Sequence, residues 1–294
     1  MGGLVALDLS GNERHGPLVE RTYVCANRRV LCVTGDDRRA WLNGLVTRDV
    51  SKRPPEPRVE FALATTQKGK VLADVWAVGW KDVLYLSVPA LTCDELKQHF
   101  DHHLVMEDAE IATTDFETRV VFDAKAPSVS TNPEMAEFRW PFQEFKASLA
   151  LVPRDTPMTG SPLSEEEWVD RRIACEMKAF GDDYDENYYP QEASLRDAVA
   201  FDKGCYLGQE VVCMLELRGK VRRQIVLVES DAGLSAAEHL YDQVGDAAKE
   251  VGQVRSLHSS RLRAFALVQS SALLSPMWTK GGVRVRASAL KKSD

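Results

Sequence analysis

Apolar and polar positions along this chain fall into stretches of period two and stretches of period 3.6, separated by clusters of turn-forming residues. Val30, Leu31, Cys32 and Val33 form an apolar burst that reads as a strand. Thr34-Gly35-Asp36-Asp37 then reads as a helix start with acids at the positive end of the dipole, and Trp41, Leu42, Leu45 and Val46 share one helical face. Residues 51–58 hold three prolines and mark a loop and a boundary. Three strand-like runs follow at 59–66, 71–79 and 83–88. Gln67-Lys68-Gly69-Lys70 and Trp80-Lys81-Asp82 are the turns between them, which makes an antiparallel meander. Thr92-Cys93-Asp94-Glu95 is a capping box opening a helix to about His103, and 106–114 is a further extended run.

Residues 125–135 and 153–162 are loops rich in Pro, Ser and Thr. Ser164-Glu165-Glu166-Glu167 is a second capping box, followed by the stripe Val169, Ile173, Met177 and Phe180 and a stop at Gly181. Residues 182–192 are acidic and tyrosine-rich with no period, and such a loop is a natural place for function. From 221 onward, short runs at 224–229, 250–257, 262–269 and 283–287 lie between Gly, Ser and Asp, which predicts a small β-barrel. Lys291-Lys292 belongs to a polar tail. The pattern as a whole is α+β, and 294 residues suit two or three domains.

Composition narrows the function classes. Hydrophobic residues make up 44% and charged ones 28%, an ordinary globular balance. A net charge of −7 argues against a protein that wraps nucleic acid through a broad basic face. No pair among the six cysteines has Cys-x-x-Cys spacing, so neither a zinc ribbon nor a dithiol redox motif is written here. The first ten residues lack a basic n-region, Ala6 stands where a myristoylation motif needs Ser or Thr, and no apolar run spans a bilayer. The expectation is a cytoplasmic protein with reduced thiols and no membrane partner.

The densest chemistry lies in Lys203-Gly204-Cys205-Tyr206-Leu207-Gly208-Gln209-Glu210, with a thiol, an ammonium, an amide, a carboxylate and two flexible glycines in eight residues. Lys203 stands where it could favour the Cys205 thiolate, while a cysteine on its own is as readily a small buried hydrophobe. Glu192, in Pro190-Gln191-Glu192, could accept two N–H donors side by side, or be an exposed loop acid. Arg218, Gly219, Lys220, Arg222 and Arg223 form either the solvated start of a strand or an anion-binding rim. His99 and His103 are four apart but lack the Glu of a His-Glu-x-x-His metal motif, so no metal site is expected. Gln67-Lys68-Gly69-Lys70 is too short for a phosphate loop, and no Gly-x-Ser-x-Gly elbow is present.

The octet Lys203–Glu210 resembles the signature of the YgfZ-type folate-binding proteins, relatives of the glycine-cleavage T-protein (aminomethyltransferase). The resemblance extends to 33–50, to Lys68-Gly69-Lys70-Val71-Leu72-Ala73-Asp74, to Tyr189-Pro190-Gln191-Glu192, to Arg218-Gly219 and to Val251-Gly252-Gln253-Val254. It implies a cloverleaf of two α/β (ferredoxin-like) domains and a C-terminal barrel around a central folate funnel. Residues 1–50 plus 115–220 would form the first domain, 51–114 the inserted ferredoxin-like domain, and 221–294 the barrel. It further implies tetrahydrofolate or another reduced folate as cofactor, held by Glu192 with Lys203, Tyr206, Gln209 and Arg218. Cys205 and Asp74 would be the reactive groups, and iron–sulfur client enzymes or scaffold proteins the partners. The alternative is a folate-dependent aminomethyl or one-carbon transferase, and whether any turnover occurs is open. Two departures stand out: Ala73-Asp74 keeps one acid where the T-protein has a pair, and Met214 stands where many relatives have arginine.

Overall fold

The computed structural model describes residues 20–52, 58–122, 147–158, 160–219 and 221–288, with backbone strands also at 6–7, 13–14 and 135–138. The N-terminal segment, the loops of 53–57 and 125–134, Lys220 and the Lys291-Lys292 tail lie outside the described residues. A two-stranded ribbon pairs β1 (Ala6–Leu7) with β2 (Glu13–Arg14).

The first sheet contains β4 (Arg28–Thr34), β5 (Glu60–Thr65), β6 (Val71–Trp80), β7 (Val83–Pro89) and β8 (Glu110–Thr113), in the order β5-β6-β7-β4-β8. Every pairing in it is antiparallel. Helices α1 (Arg38–Asn43) and α2 (Cys93–His102) bury Trp41, Leu42, Leu96 and Phe100 with Leu31 and Val33 of β4. The period-two rule then turns Arg28 and Val30 toward the opposite face. The expected domain boundary at residue 50 runs through this sheet. β4 comes from the N-terminal segment yet hydrogen-bonds between β7 and β8, and we propose residues 28–113 as the unit.

The second sheet has the order β10-β11-β9-β3-β12, from β3 (Arg21–Val24), β9 (Phe116–Phe122), β10 (Met135–Phe138), β11 (Ala147–Pro153) and β12 (Ser161–Pro162). Helix α3 (Glu165–Ala174) begins at the capping box written in the sequence: Ser164 Oγ accepts the Glu167 N–H, and Glu167 accepts the Ser164 N–H. Helix α4 (Gln209–Arg218) follows the octet loop. The C-terminal strands β13 (Arg223–Ser230), β14 (His239–Tyr241), β15 (Glu250–Leu257), β16 (Arg263–Gln269), β17 (Met277–Thr279) and β18 (Arg284–Ala287) close into a six-stranded barrel.

Two local expectations change. The capping box at Thr92 does not form, since the Thr92 hydroxyl is buried without a partner. Helix α3 stops at Ala174, not Gly181. Glu176 adopts a left-handed φ of 56°, and the Met177 N–H returns to the Arg172 carbonyl at 2.8 Å, closing the helix with a non-glycine Schellman turn. Met177 and Phe180 are still buried, but from the loop.

One core joins the three units. It holds Val30, Leu63, Trp76 and Val78 of the first sheet, Tyr23, Val120 and Leu149 of the second, Trp168 and Ile173 of α3, and Ile225, Leu227 and Phe265 of the barrel. Threaded through it is the loop after α3, fastened by Arg172, whose side chain is 0% exposed. Its guanidinium donates to Asp183 at 2.8 Å, Asp182 at 3.0 Å and Ser256 Oγ at 3.3 Å, so α3, the loop and β15 are tied at one point.

Two predictions follow from this packing. Gly208 (φ 83°) sits against the Thr66 carbonyl in a position where a Cβ would collide with that oxygen. Gly208→Ala is therefore expected to lose at least about 1–2 kcal/mol, the left-handed penalty alone, read as a lower urea midpoint. An unchanged midpoint refutes the contact. Arg172→Met leaves the Asp183 carboxylate buried without its cation and is expected to cost about 3–5 kcal/mol, with part regained in Arg172→Met/Asp183→Leu. Equal loss in single and double variants would show that the ion pair is not the cause.

Candidate functional site

Helix α1 is only six residues long, so most of its final carbonyls have no helical partner. Lys203 supplies one. Its ammonium donates to Asn43 O at 2.6 Å, Val46 O at 2.8 Å and Arg48 O at 2.9 Å. Burial lowers Lys203 to about 8, while the Asp49 charge and the three carbonyls favour the ammonium. With all three protons on carbonyls, Lys203 is a clamp on the octet loop and has none left for the Cys205 thiol or a ligand.

The same loop is held from the other side. Thr65 Oγ1 donates to Leu207 O at 2.6 Å, and the Leu207 N–H reaches Gly44 O at 3.1 Å. Gly69 (φ 73°) turns the β5–β6 hairpin directly beneath α4, where a Cβ would lie 2.9 Å from the Val211 Cβ. Tyr206 is buried with Val199 and Val212, and burial raises its hydroxyl well above the ordinary tyrosine range. Cys205 is the exposed cysteine of the chain; Cys25, Cys93 and Cys175 are buried, and all six are free thiols. Gln209 and Arg218 occupy opposite ends of α4, roughly 14 Å apart at 1.5 Å per residue, and Arg218 is exposed.

Glu192 is only 9% exposed. Its Oε2 accepts the Tyr189 N–H at 3.1 Å and its Oε1 accepts Arg223 Nε at 3.2 Å. Its own carbonyl takes the Ile225 N–H at 2.8 Å, so the loop of 182–192 is seated on the barrel at this residue. Arg223 also covers the Tyr188 ring at 4.6 Å. Each carboxylate oxygen keeps a further lone pair, but a second donor pair at the carboxylate requires Arg223 to move.

Asp74, on the inward face of β6, is 1% exposed and occupied from within. Arg28 Nη1 bonds Asp74 Oδ1 at 3.0 Å and Oδ2 at 3.2 Å, and Trp76 Nε1 bonds Oδ2 at 3.1 Å. The guanidinium lies 3.7 Å above the Trp76 ring and donates to Ser87 through Nε and Nη2. Beside this cage is a cavity of about 20 Å³ bounded by Cys25, Asn27, Arg28, Trp168 and Arg172. It has room for about one water molecule and none for a ring system. Neither Glu192 nor Cys205 lines it, so Asp74, Glu192 and Cys205 do not share that space.

Sequence reasoning missed Arg28 and Arg172, and it placed Arg223 in a basic cluster without seeing its pairing with Glu192. Two signals were present: Arg28 shares the inward register of Val30, and Arg172 stands four residues after Trp168 on the apolar side of α3. Among the described residues no group of three or more His, Cys, Asp or Glu side chains could hold a metal ion.

No protein-family model matches the chain. It is 25% identical over 245 residues to the mitochondrial iron-sulfur cluster assembly factor IBA57 homolog of Chaetomium globosum, covering 68% of this chain and 54% of that protein. It is 33% identical over 106 residues to the tRNA-modifying protein YgfZ of Serratia proteamaculans, covering 35% of this chain and 32% of that protein. The crystal structure of the glycine cleavage system aminomethyltransferase T from Bartonella henselae superposes with a TM-score of 0.75 at 12% identity, over 92% of this chain and 86% of that one. In sequence the chain is thus similar to proteins named IBA57 and YgfZ, and in fold to aminomethyltransferase T. It spans about half the length of the fungal relative it matches. The likeness to aminomethyltransferase T establishes the fold, including the closing barrel. No helix among the described residues is long and apolar enough to cross a membrane.

The accessibility pattern makes a chemical prediction. Burial pushes the Cys25 and Cys175 thiols up to about 12, so neither is a thiolate at neutral pH. Iodoacetamide on the native protein is expected to modify Cys205 first, with Cys25, Cys93 and Cys175 labelled only in denaturant. Peptide mass mapping reads this directly, and native labelling of Cys175 ahead of Cys205 would contradict it.

Proposed function

We propose that this YgfZ-type protein is an accessory factor for iron–sulfur proteins, binding a reduced folate beside Glu192 and presenting Cys205 to a client or carrier. The observation that carries the reading is the division of labour within the octet. Lys203, Thr65 and Gly208 hold the loop, and Cys205 is left exposed on it, with the Glu210 carboxylate also exposed at the start of α4. An exposed thiol on a fixed support suits ligation or transfer to another macromolecule, as the names of the relatives suggest.

The residues around Glu192 suit a pterin in one respect: a poorly exposed carboxylate can accept an amidine-like N–H edge once Arg223 swings aside. When bound, a reduced folate supplies a ring nitrogen able to carry a one-carbon unit. The space beside Asp74 does not admit such a ring. Tyr206 and Lys203 act on this reading by fixing the loop, while Gln209 and Arg218 border α4. The aminomethyltransferase alternative needs a free Asp74 carboxylate, and here both oxygens are held by Arg28 and Trp76. The six free thiols suit a reducing compartment, the cytosol or the mitochondrion named for the fungal relative.

The test is functional replacement in cells lacking their own such factor, read as the activity of a cluster-containing enzyme. Wild type is expected to restore it, while Cys205→Ser is expected to lower the restored activity at least about tenfold with the same melting temperature. Full restoration by Cys205→Ser would remove the thiol from the mechanism. Calorimetric titration with tetrahydrofolate tests the other half, and unchanged binding by Glu192→Ala would move the folate elsewhere.

A further inference from the structure

Helix α4 is held by the rest of the chain on its inner side and flanks. Val212 is buried with Tyr206 and Val199, and Val211 lies against Gly69 of the β5–β6 turn. Glu216 pairs with Arg196, and Gln191 Nε2 donates to the Val212 carbonyl at 2.9 Å. At about 100° per residue, the direction opposite Val212 falls to Glu210, Met214, Leu217 and Arg218. All four are exposed, Met214 by 39% and Leu217 by 89%. Among the described residues neither Glu210 nor Arg218 has an ion-pair partner.

A surface helix ordinarily turns polar residues to water along its outer side. Here a methionine and a leucine stand there, with an acid at one end and a base at the other. Glu210, Met214 and Arg218 form one i, i+4, i+8 ridge, and Met214 is its midpoint. Such a ridge is complementary to itself. A two-fold axis at Met214 sets two copies of α4 antiparallel, Met214 against Met214, and brings each Glu210 to the side of Arg218 of the second copy. Two unpaired charges in the monomer thereby become two ion pairs, and Leu217 leaves water with Met214.

We infer that this outward stripe of α4 is the contact face of a symmetric dimer, its occupant a second copy of this chain in antiparallel register about Met214. The contact is isologous, so each patch serves as its own partner. A patch of one helix face makes the association weak and reversible, not obligate. Because the octet loop precedes α4, the antiparallel register places the two Cys205 loops at opposite ends of the helix pair. Association then changes the protein surface beside each thiol. The inference stands on α4 alone and does not depend on folate binding.

The experiment is sedimentation velocity on the full chain over a concentration series of about 5 to 500 µM, the range of a weak interface. Wild type is expected to pass from monomer toward dimer across the series. Glu210→Arg and Arg218→Glu each set like charges opposite one another and are expected to weaken association at least about tenfold. The double variant Glu210→Arg/Arg218→Glu restores opposite charges and is expected to return to within about threefold of wild type. Both changes oppose the α4 dipole, so recovery in the double variant cannot come from a steadier helix. Leu217→Ser, at a position open to solvent in the monomer, is expected to weaken the dimer with the melting temperature unchanged. Melting curves confirm that every variant is folded. Wild type that stays monomeric throughout the series overturns the pairing and leaves the stripe to a different protein. A dimer indifferent to the single changes, or a double variant as weak as the singles, overturns it as well.

Discussion

The guanidinium of Arg172 is the point on which the seating of the loop after α3 against the barrel depends. It is an arginine with no exposed surface, on the face of α3 that also buries Trp168 and Ile173, and it can be there only because Asp183 and Asp182 neutralise it and Ser256 Oγ accepts a further hydrogen bond. Those partners come from the loop after α3 and from the barrel, so satisfying one buried charge forces two distant segments to converge. Asp183 is drawn in further by the Ala179 N–H at 2.8 Å, which folds the loop back upon itself. Breaking such a network is far costlier than never having built it, which explains why the loop is seated so firmly without regular secondary structure.

The same economy governs the cluster at Asp74 on β6. Where the fold brings an acid inward, at Asp74, an arginine from β4 meets it and a tryptophan stacks over the pair. The result is a filled junction beside a cavity about the size of one water. The chemical freedom of the protein therefore moves outward, to the seam at Glu192 and to the exposed thiol. The octet signature reads differently in this light. Lys203, Tyr206 and Gly208 are mechanical parts, and they make Cys205 exposed and fixed at once.

Much of this was legible in the chain. The strands of the first sheet, the Ser164 cap, α2 and four strands of the barrel follow from period and turn chemistry, because those are local properties. The mixed α/β fold with its closing barrel followed from the resemblance carried by the octet and its companion motifs. What escaped was of two kinds. The end of α3 was misjudged because Met177 and Phe180 continue a helical spacing while Glu176 takes a left-handed turn that nothing in its side chain announces. The domain boundary drawn at residue 50 separated β4 from the sheet it joins, because strand pairing between segments fifty residues apart leaves no local mark.

The amino-acid sequence by itself determined the strands of the first sheet, the start of α3, four strands of the barrel and the place of the octet cysteine. Only the tertiary structure decided which charges meet. Arg28 with Asp74, Arg172 with Asp183 and Arg223 with Glu192 are separated by 46, 11 and 31 positions. The chain writes the charges but not their partners, since an ion pair is chosen by which inward faces the packed sheets bring together. That choice left Asp74 locked, Lys203 spent on carbonyls, and Arg255 without a carboxylate among the described residues.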